Sequence, residues 1–261
     1  MSGNAYAMKQ SIRPAVSFVI PAYNEAKTIA PCLDSIIRQI ASEHVAAEII
    51  VVNNASTDAT HAVAASFPGV HVVDEPKKGL VQARRAGFLA SSGELIANID
   101  ADTRLTPGWL STVLREFKDQ RNLVALSGPF IYYDLSRFTR FLVSAFYKIG
   151  FIIYLINRFM LRNGSMLQGG NFIVRRDALE RIGGYDPERF SFYGDDTDLA
   201  RRLHAVGPVK FTFALPIYTT GRRLAHEGVL RTALRYSVNY FWTIFFTRPF
   251  TKQSTDIRPG H

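Results

Sequence analysis

The 261-residue sequence predicts an α/β fold with a mostly parallel central sheet flanked by helices. Two observations carry that expectation. Short β-branched and apolar runs alternate with segments of helical periodicity, which implies right-handed βαβ crossovers and a sheet covered on both faces. Polar and charged residues also gather where those runs end, and such sheets bind ligands at the carboxyl ends of strands near a switch in strand order.

The elements follow in order. Val16 to Ile20 is a β-branched and aromatic run, stopped by Pro21-Ala22-Tyr23-Asn24-Glu25 before a helical pattern of Ile29, Leu33, Ile36, Ile37 and Ile40. Glu48 to Val52 is the next strand, closed by Asn53 to Asp58, whose polar residues can cap a helix over Ala59 to Ser66. Val70 to Val73 reads as a strand, Glu75 to Gly79 as a loop and Leu80 to Ala90 as a helix leading into a strand at Leu95. Pro107 to Phe117 is predicted helical and Leu123 to Ile131 a strand, after which the alternation stops. Phe138 to Leu161 has apolar residues at helical spacing with Gly164 ending it, Gln168 to Arg176 is a strand opened by paired glycines, and a helix runs from the acidic cluster at 195–198 through Leu203. Val209 to Leu215 is the last predicted strand; Gly221-Arg222-Arg223 opens a basic, aromatic C-terminal section, with an amphipathic helix over Val229 to Phe250.

Composition bounds the partners. With 47% hydrophobic and 20% charged residues the chain can bury a sizeable core, and its formal charge of +9 favours anions: nucleotides, anionic lipid headgroups or nucleic acid. Cys32 is the only cysteine and reads as a small buried apolar residue. The first fifteen residues lack the apolar core of an export signal, so a cytoplasmic location is expected. Arg140, Lys148 and Arg158 interrupt the most apolar region, 138–161, which is therefore expected not to span a bilayer; it and the 229–250 helix either lie on a membrane surface or pack on the sheet or in a dimer interface.

Two acidic motifs carry the chemistry. Leu95 to Asp102 is an apolar run ending in Asp100-Ala101-Asp102, two carboxylates delivered to the open edge of a sheet. Oxygen ligands of that kind suit Mg²⁺ or Mn²⁺, which keep several waters and accept a substrate's diphosphate; the plain alternative is a polar loop. Lys77, Lys78, Arg84 and Arg85 bring positive charge to the helix start beside Gly79, which suits phosphate oxygens or is simply a solvated basic turn. In Gly194-Asp195-Asp196-Thr197-Asp198, helix-dipole grounds explain one acid at a helix start but not three. Crowded carboxylates raise one another's pKa, and one held beside a crevice can act as a general base.

Pro-Ala-Tyr-Asn-Glu at 21–25, Asn-Asn-Ala-Ser-Thr-Asp at 53–58, Asp-Ala-Asp at 100–102, Gly-Gly-Asn at 169–171 and Gly-Asp-Asp-Thr-Asp-Leu at 194–199 stand in one order. That series resembles the family 2 glycosyltransferases with the GT-A fold, a nucleotide-binding sandwich, over roughly residues 14–225. The resemblance implies a nucleotide-binding half at 14–131 and an acceptor-binding half at 132–225; outside it, the sequence is read as a flexible segment 1–13 and an amphipathic helix and tail at 226–261. It implies transfer of a sugar from a nucleoside diphosphate, with inversion, to an acceptor hydroxyl or lipid phosphate in cell-envelope glycan or glycolipid synthesis. Pro21, Ala22, Tyr23 and Glu25 would cradle the nucleoside, Asn54 would face the base, and Arg84 would lie near the diphosphate. Asp100 would approach the ribose and metal, and Asp102 would hold a divalent cation, Mn²⁺ or Mg²⁺. Gly169, Gly170, Asn171 and Asp195 would face the donor or acceptor sugar. Asp196 would take the acceptor's proton, while Asp195 and Asp198 orient the helix start.

Two departures accompany the resemblance. Asn53 and Asn54 stand where the family usually carries acids, which leaves the base open. Where the family often places a histidine near the metal, this chain reads Tyr218-Thr219-Thr220-Gly221-Arg222-Arg223, with His226 beyond it as a helix-surface residue. A nucleotidyltransferase of similar fold is a competing enzyme reading, but Pro21 to Glu25 has neither the glycine nor the basic residue such a loop needs. A basic nucleic-acid-binding module is disfavoured because acids occupy the strand ends, so no nucleic-acid partner is expected. The expected partners are a nucleotide-diphosphate sugar, a glycan or lipid-linked acceptor, and an anionic membrane contacted peripherally on its inner face.

Overall fold

A computed structural model describes residues 13–156, 166–190 and 194–246. The predicted first half is present: β1 (Val16–Ala22), α1 (Ile29–Glu43), β2 (Ala47–Asn53), α2 (Thr60–Ala65), β3 (Val70–Asp74), α3 (Leu80–Ala90) and β4 (Leu95–Ile99). Then come β5 (Thr103–Leu105), α4 (Trp109–Asp119), β6 (Ala125–Ser127), β7 (Phe130–Tyr132), α5 (Arg137–Ile156) and β8 (Asn171–Arg175). The chain continues through α6 (Arg176–Arg181), α7 (Asp195–His204), β9 (Val209–Phe211), β10 (Ile217–Thr219), α8 (Arg222–Glu227) and α9 (Val229–Phe246). The predicted helix beyond Ile156 with its end at Gly164, Phe192 and Tyr193, and the segments 1–12 and 247–261 lie outside the described residues, as do the side chains of Ile153, Leu230, Phe241 and Phe245.

Seven strands form one sheet in the order β3-β2-β1-β4-β8-β6-β9. β1 pairs in parallel with both β2 and β4, while β8 runs antiparallel to β4 and β6. The order therefore reverses between β1 and β4, and their carboxyl ends open the crevice at which an α/β sheet binds ligands. Alternation along β1 sends Phe18 and Ile20 to a core shared with α1, α2 and α4, and Val19 to one shared with α3, α6 and α7. Both faces of the sheet are thus covered, as near-continuous apolar strands require.

The predicted strand 123–131 is two strands in two sheets. β6 joins the large sheet, and β7 joins a small one of order β5-β10-β7. The break is at Gly128-Pro129: a Cβ on Gly128 would lie 1.9 Å from the Leu215 carbonyl oxygen, and proline has no N–H to continue the ladder. The strand predicted over Val209 to Leu215 likewise ends at Phe211, and the chain re-enters strand structure only at Ile217. β5 and β10, three residues each, are too short to show in the sequence pattern.

Candidate active site

Pro21, Ala22, Tyr23, Glu25, Asn54, Arg84, Asp100, Asp102, Gly169, Asp195 and Asp196 line one crevice of about 900 Å³. It lies at the carboxyl ends of β1 and β4 and runs on between α5 and α9. Of the residues the sequence singles out, Gly170 and Asn171 stand behind it.

The first two motifs interlock. The Asn24 amide exchanges hydrogen bonds with Thr57, donating to Oγ1 at 3.2 Å and accepting from the backbone N–H at 2.8 Å. The Glu25 N–H donates to Thr60 Oγ1 at 2.8 Å. Asn54 departs from the expectation that it faces a base. Its amide donates to the carbonyls of Glu75 and Lys77 at 3.0 and 2.9 Å and accepts from the Gly79 N–H at 2.7 Å, so it fastens the β3–α3 loop. That loop carries Lys78, whose ammonium sits 3.8 Å from the centre of the Tyr23 ring. Lys77 and Arg85 are exposed.

Asp100 and Asp102 emerge from β4 as expected. Thr103 donates to the Asp100 carbonyl through its N–H at 3.1 Å and its hydroxyl at 2.7 Å, which closes the turn between the two acids. Cys32 is fully buried beneath it, 3.7 Å from the same carbonyl. Gly170, at φ +82°, lets the 168–171 loop lie against the Asp100 carboxylate: a Cβ there would stand 2.1 Å from Oδ2. Asn171, expected to face a sugar, is instead wholly buried. Its Oδ1 accepts from Trp109 Nε1 at 3.0 Å and its Nδ2 donates to the carbonyls of Gly128 and Leu215 at 3.0 and 2.9 Å. The amide ties α4 and the sheet crossover to β8.

Arg84 lies deeper than a diphosphate contact needs. It is 1% exposed, forms an ion pair with Asp195, and holds Nη2 3.9 Å from Asp100 Oδ1, so it links the two acidic motifs across the floor of the crevice. Its Nε has no hydrogen-bond partner among the described residues. Asp195 therefore points at Arg84. Asp198 accepts from Arg201 and Arg202 at 2.9 and 2.7 Å, and Arg202 reaches on to the carbonyl of Gly184 at 2.7 Å, which fixes the start of α7. Asp196 also lines the crevice, and among the described residues no arginine is within ion-pair distance of it; its Oδ2 is 3.4 Å from where a Gly169 Cβ would stand. Removal from water and the adjoining Asp195 push its pKa up to about 6, the poise of a base working near neutrality.

Arg222 is the residue that sequence reasoning passed over. β10 runs antiparallel to β5 with Thr219 opposite Thr103, so the residues after β10 must lie beside Asp102. The Thr220 hydroxyl donates to Asp102 Oδ2 at 2.9 Å, and Arg222 Nη2 stands 3.0 Å from that oxygen while also pairing with Glu25. Burial would lower the guanidinium's pKa, and Asp102 and Glu25 outweigh it and raise it. The Asp100 and Asp102 carboxylates with the Thr220 hydroxyl are an all-oxygen set that fits a hard divalent cation taking its remaining ligands from water and phosphate. Among the described residues no group of three or more His, Cys, Asp or Glu side chains is arranged to hold a metal. His226 is exposed on α8, as expected.

Beyond Asp196 the crevice is walled by α5 and α9. Tyr147 of α5 donates to Gln168 at 2.9 Å, tying that helix to the glycine loop. Among their described side chains, both helices are inside-out for a protein in water. α5 buries Tyr147 and Tyr154 and exposes Phe138, Phe141, Leu142, Phe146, Ile149 and Ile152, while α9 buries Thr232, Asn239 and Thr243 and exposes Leu234 and Phe246. α5 is also long and apolar enough to cross a membrane by length and composition, with 18% of the apolar stretch buried. This differs from the expectation from its charges, since residues 139–156 carry only Arg140 and Lys148.

Residues 17–183 match the family model "Glycosyl transferase family 2". The chain is 29% identical over 212 residues to the probable glycosyltransferase YdaM of Bacillus subtilis (strain 168), covering 74% of this chain and 47% of that protein. It is 34% identical over 115 residues to the putative glycosyltransferase EpsH of the same organism, covering 42% and 33%. The chain thus spans less than half the length of either relative. Among solved structures, the mannosyltransferase PcManGT from Pyrobaculum calidifontis, in complex with GDP-Man and Mn²⁺, superposes with a TM-score of 0.60 over 80% of this chain and 58% of that one. At 22% identity that is a likeness of fold, and the fold is the GT-A type.

Proposed function

Because the chain belongs to glycosyl transferase family 2, we propose that it transfers a sugar from a nucleoside diphosphate to an acceptor presented at a membrane surface, with inversion at the anomeric carbon. The observation that carries this reading is the convergence of Asp100, Asp102 and Asp196 on one crevice whose far end is apolar. Donor would lie over Pro21, Ala22 and Tyr23, with its diphosphate toward Asp100, Asp102 and Lys78. Asp100 and Asp102 would hold Mn²⁺ or Mg²⁺, which would supply charge that stabilises the departing diphosphate. Asp196 accepts the proton as the acceptor oxygen attacks the anomeric carbon from the face opposite the leaving group, so the new glycosidic bond forms as the bond to phosphate breaks. If the acceptor is an ionised lipid phosphate, Asp196 has no proton to take and orients the nucleophile instead.

The inside-out faces of α5 and α9 support a membrane location. Neither helix contains Asp or Glu, and both carry arginine, a composition that suits anionic lipid. We read residues 14–131 as the donor half and 132–225 as the acceptor half, working on the cytoplasmic side in envelope glycan or glycolipid synthesis. The test is nucleoside diphosphate release from a panel of nucleotide sugars with Mn²⁺ and a lipid-phosphate acceptor, comparing the wild type with Asp102→Asn. Metal-dependent release that disappears in the variant is expected; equal release by both proteins would refute the role of Asp102.

A further inference from the structure

We propose that Arg222 is a built-in counter-cation, neutralising Glu25 and Asp102 in the ligand-free crevice and passing to the donor's diphosphate when a divalent cation takes Asp102. This rests on the reading of Asp102 as a metal ligand and adds to it a residue that competes with the metal.

The geometry is specific. Glu25 and Asp102 come from β-strand ends far apart in sequence and are 5% and 15% exposed, so two anions are held together in a partly dry place. Arg222 Nη2 touches both of them. Without a cation between them such carboxylates repel, and a guanidinium, which stays charged at every working pH, removes that repulsion. A divalent cation on Asp102 would stand close to the guanidinium, whose Nη2 is 3.0 Å from Oδ2, and the two positive charges would repel. The side chain has somewhere to go. Arg222 is 28% exposed and lines the same crevice as Lys78 and Asp100. A planar guanidinium fork is suited to two phosphate oxygens.

The backbone behind it is fixed, which makes the exchange a side-chain movement. The Gly221 N–H donates to Asp134 Oδ1 at 2.6 Å, and a Cβ on Gly221 would stand 2.3 Å from Leu135 Cγ, so the start of α8 is seated closely. The β10–β5 register keeps Arg222 within reach of Asp102 throughout.

The test uses Mn²⁺ alone and then inorganic pyrophosphate with saturating Mn²⁺, on the wild type, Arg222→Met, Arg222→Lys and Asp102→Asn. Free Mn²⁺ is read by its paramagnetic resonance signal and pyrophosphate by calorimetry. Arg222→Met, which keeps the apolar stem and loses the charge, is expected to bind Mn²⁺ alone roughly tenfold more tightly than the wild type and pyrophosphate roughly tenfold more weakly, the scale of one charged contact. Arg222→Lys, which keeps a charge without the fork, is expected to bind Mn²⁺ like the wild type and pyrophosphate more weakly. Equal Mn²⁺ affinity in the wild type and Arg222→Met, with binding lost in Asp102→Asn, would overturn the counter-cation and leave the metal site standing. Absence of Mn²⁺ binding in every protein, with or without pyrophosphate, would remove the metal reading and this proposal together.

Discussion

Arg84 and Asp195, 111 positions apart in the chain, form a buried ion pair that joins α3 to α7 beneath the crevice. The pair sets where Asp196 stands, because Asp196 follows Asp195 in the first turn of α7.

Arg84→Met is expected to destabilise the protein by about 3–5 kcal/mol, since it leaves the Asp195 carboxylate buried without its partner. The double variant Arg84→Met/Asp195→Leu, which removes both charges, should recover much of that loss. Urea unfolding of the three proteins measures it, and equal midpoints would show that the pair carries no such coupling.

Asp196 must be ionised to accept a proton, and its pKa stands at about 6. For a hydroxyl acceptor, kcat/KM should therefore fall about tenfold per pH unit below 6 and level off above it. Asp196→Asn should lower kcat by roughly 10²–10⁴ and lose that acid limb while still binding nucleoside diphosphate. Full turnover by the variant on a hydroxyl acceptor contradicts the assignment.

The same group links pH to stability. A carboxyl whose pKa is higher in the folded than in the unfolded chain favours the fold at low pH, and that contribution is lost as pH rises from about 4 to about 6. Asp196→Asn should thus be more stable than the wild type at pH 8 and lose that advantage near pH 4. Thermal melts across this range check the sign.

Asn54→Asp restores the residue type usual for the family but replaces an amide that donates twice with a group that cannot donate. The carbonyls of Glu75 and Lys77 lose their partners, and a loss of about 1–3 kcal/mol in stability is expected, with no gain in preference for any base. Denaturation together with binding of a panel of nucleoside diphosphates decides it. A variant of unchanged stability that selects one base more sharply would reverse our view of Asn54.

Phe141→Glu and Ile149→Glu alter side chains that are 68% and 59% exposed, so folding should be unaffected. Sedimentation with anionic liposomes should nevertheless fall sharply in both, and wild-type binding should weaken with added salt. Variants that sediment like the wild type would move the membrane contact away from α5.

The sequence by itself determined the α/β class, most elements up to α4, the two acid clusters and their delivery to strand ends, because period-2 and period-3.6 patterns and turn residues are local signals. It also carried the family, whose motifs lie in one order along the chain. Only the tertiary structure decided which polar side chains are free to meet a ligand. Asn54 and Asn171 read as site residues, yet their amides are consumed by carbonyls from other loops. Arg84 is held at the crevice floor by Asp195, and the sheet switch at Gly128-Pro129 depends on the Leu215 carbonyl. Arg222 was legible as a basic residue but not as a partner of Asp102, since that contact follows from the register of two three-residue strands, and strands so short leave no periodicity to read. Hydrogen-bond partners between distant segments are set by packing, and a single sequence encodes them only through the fold.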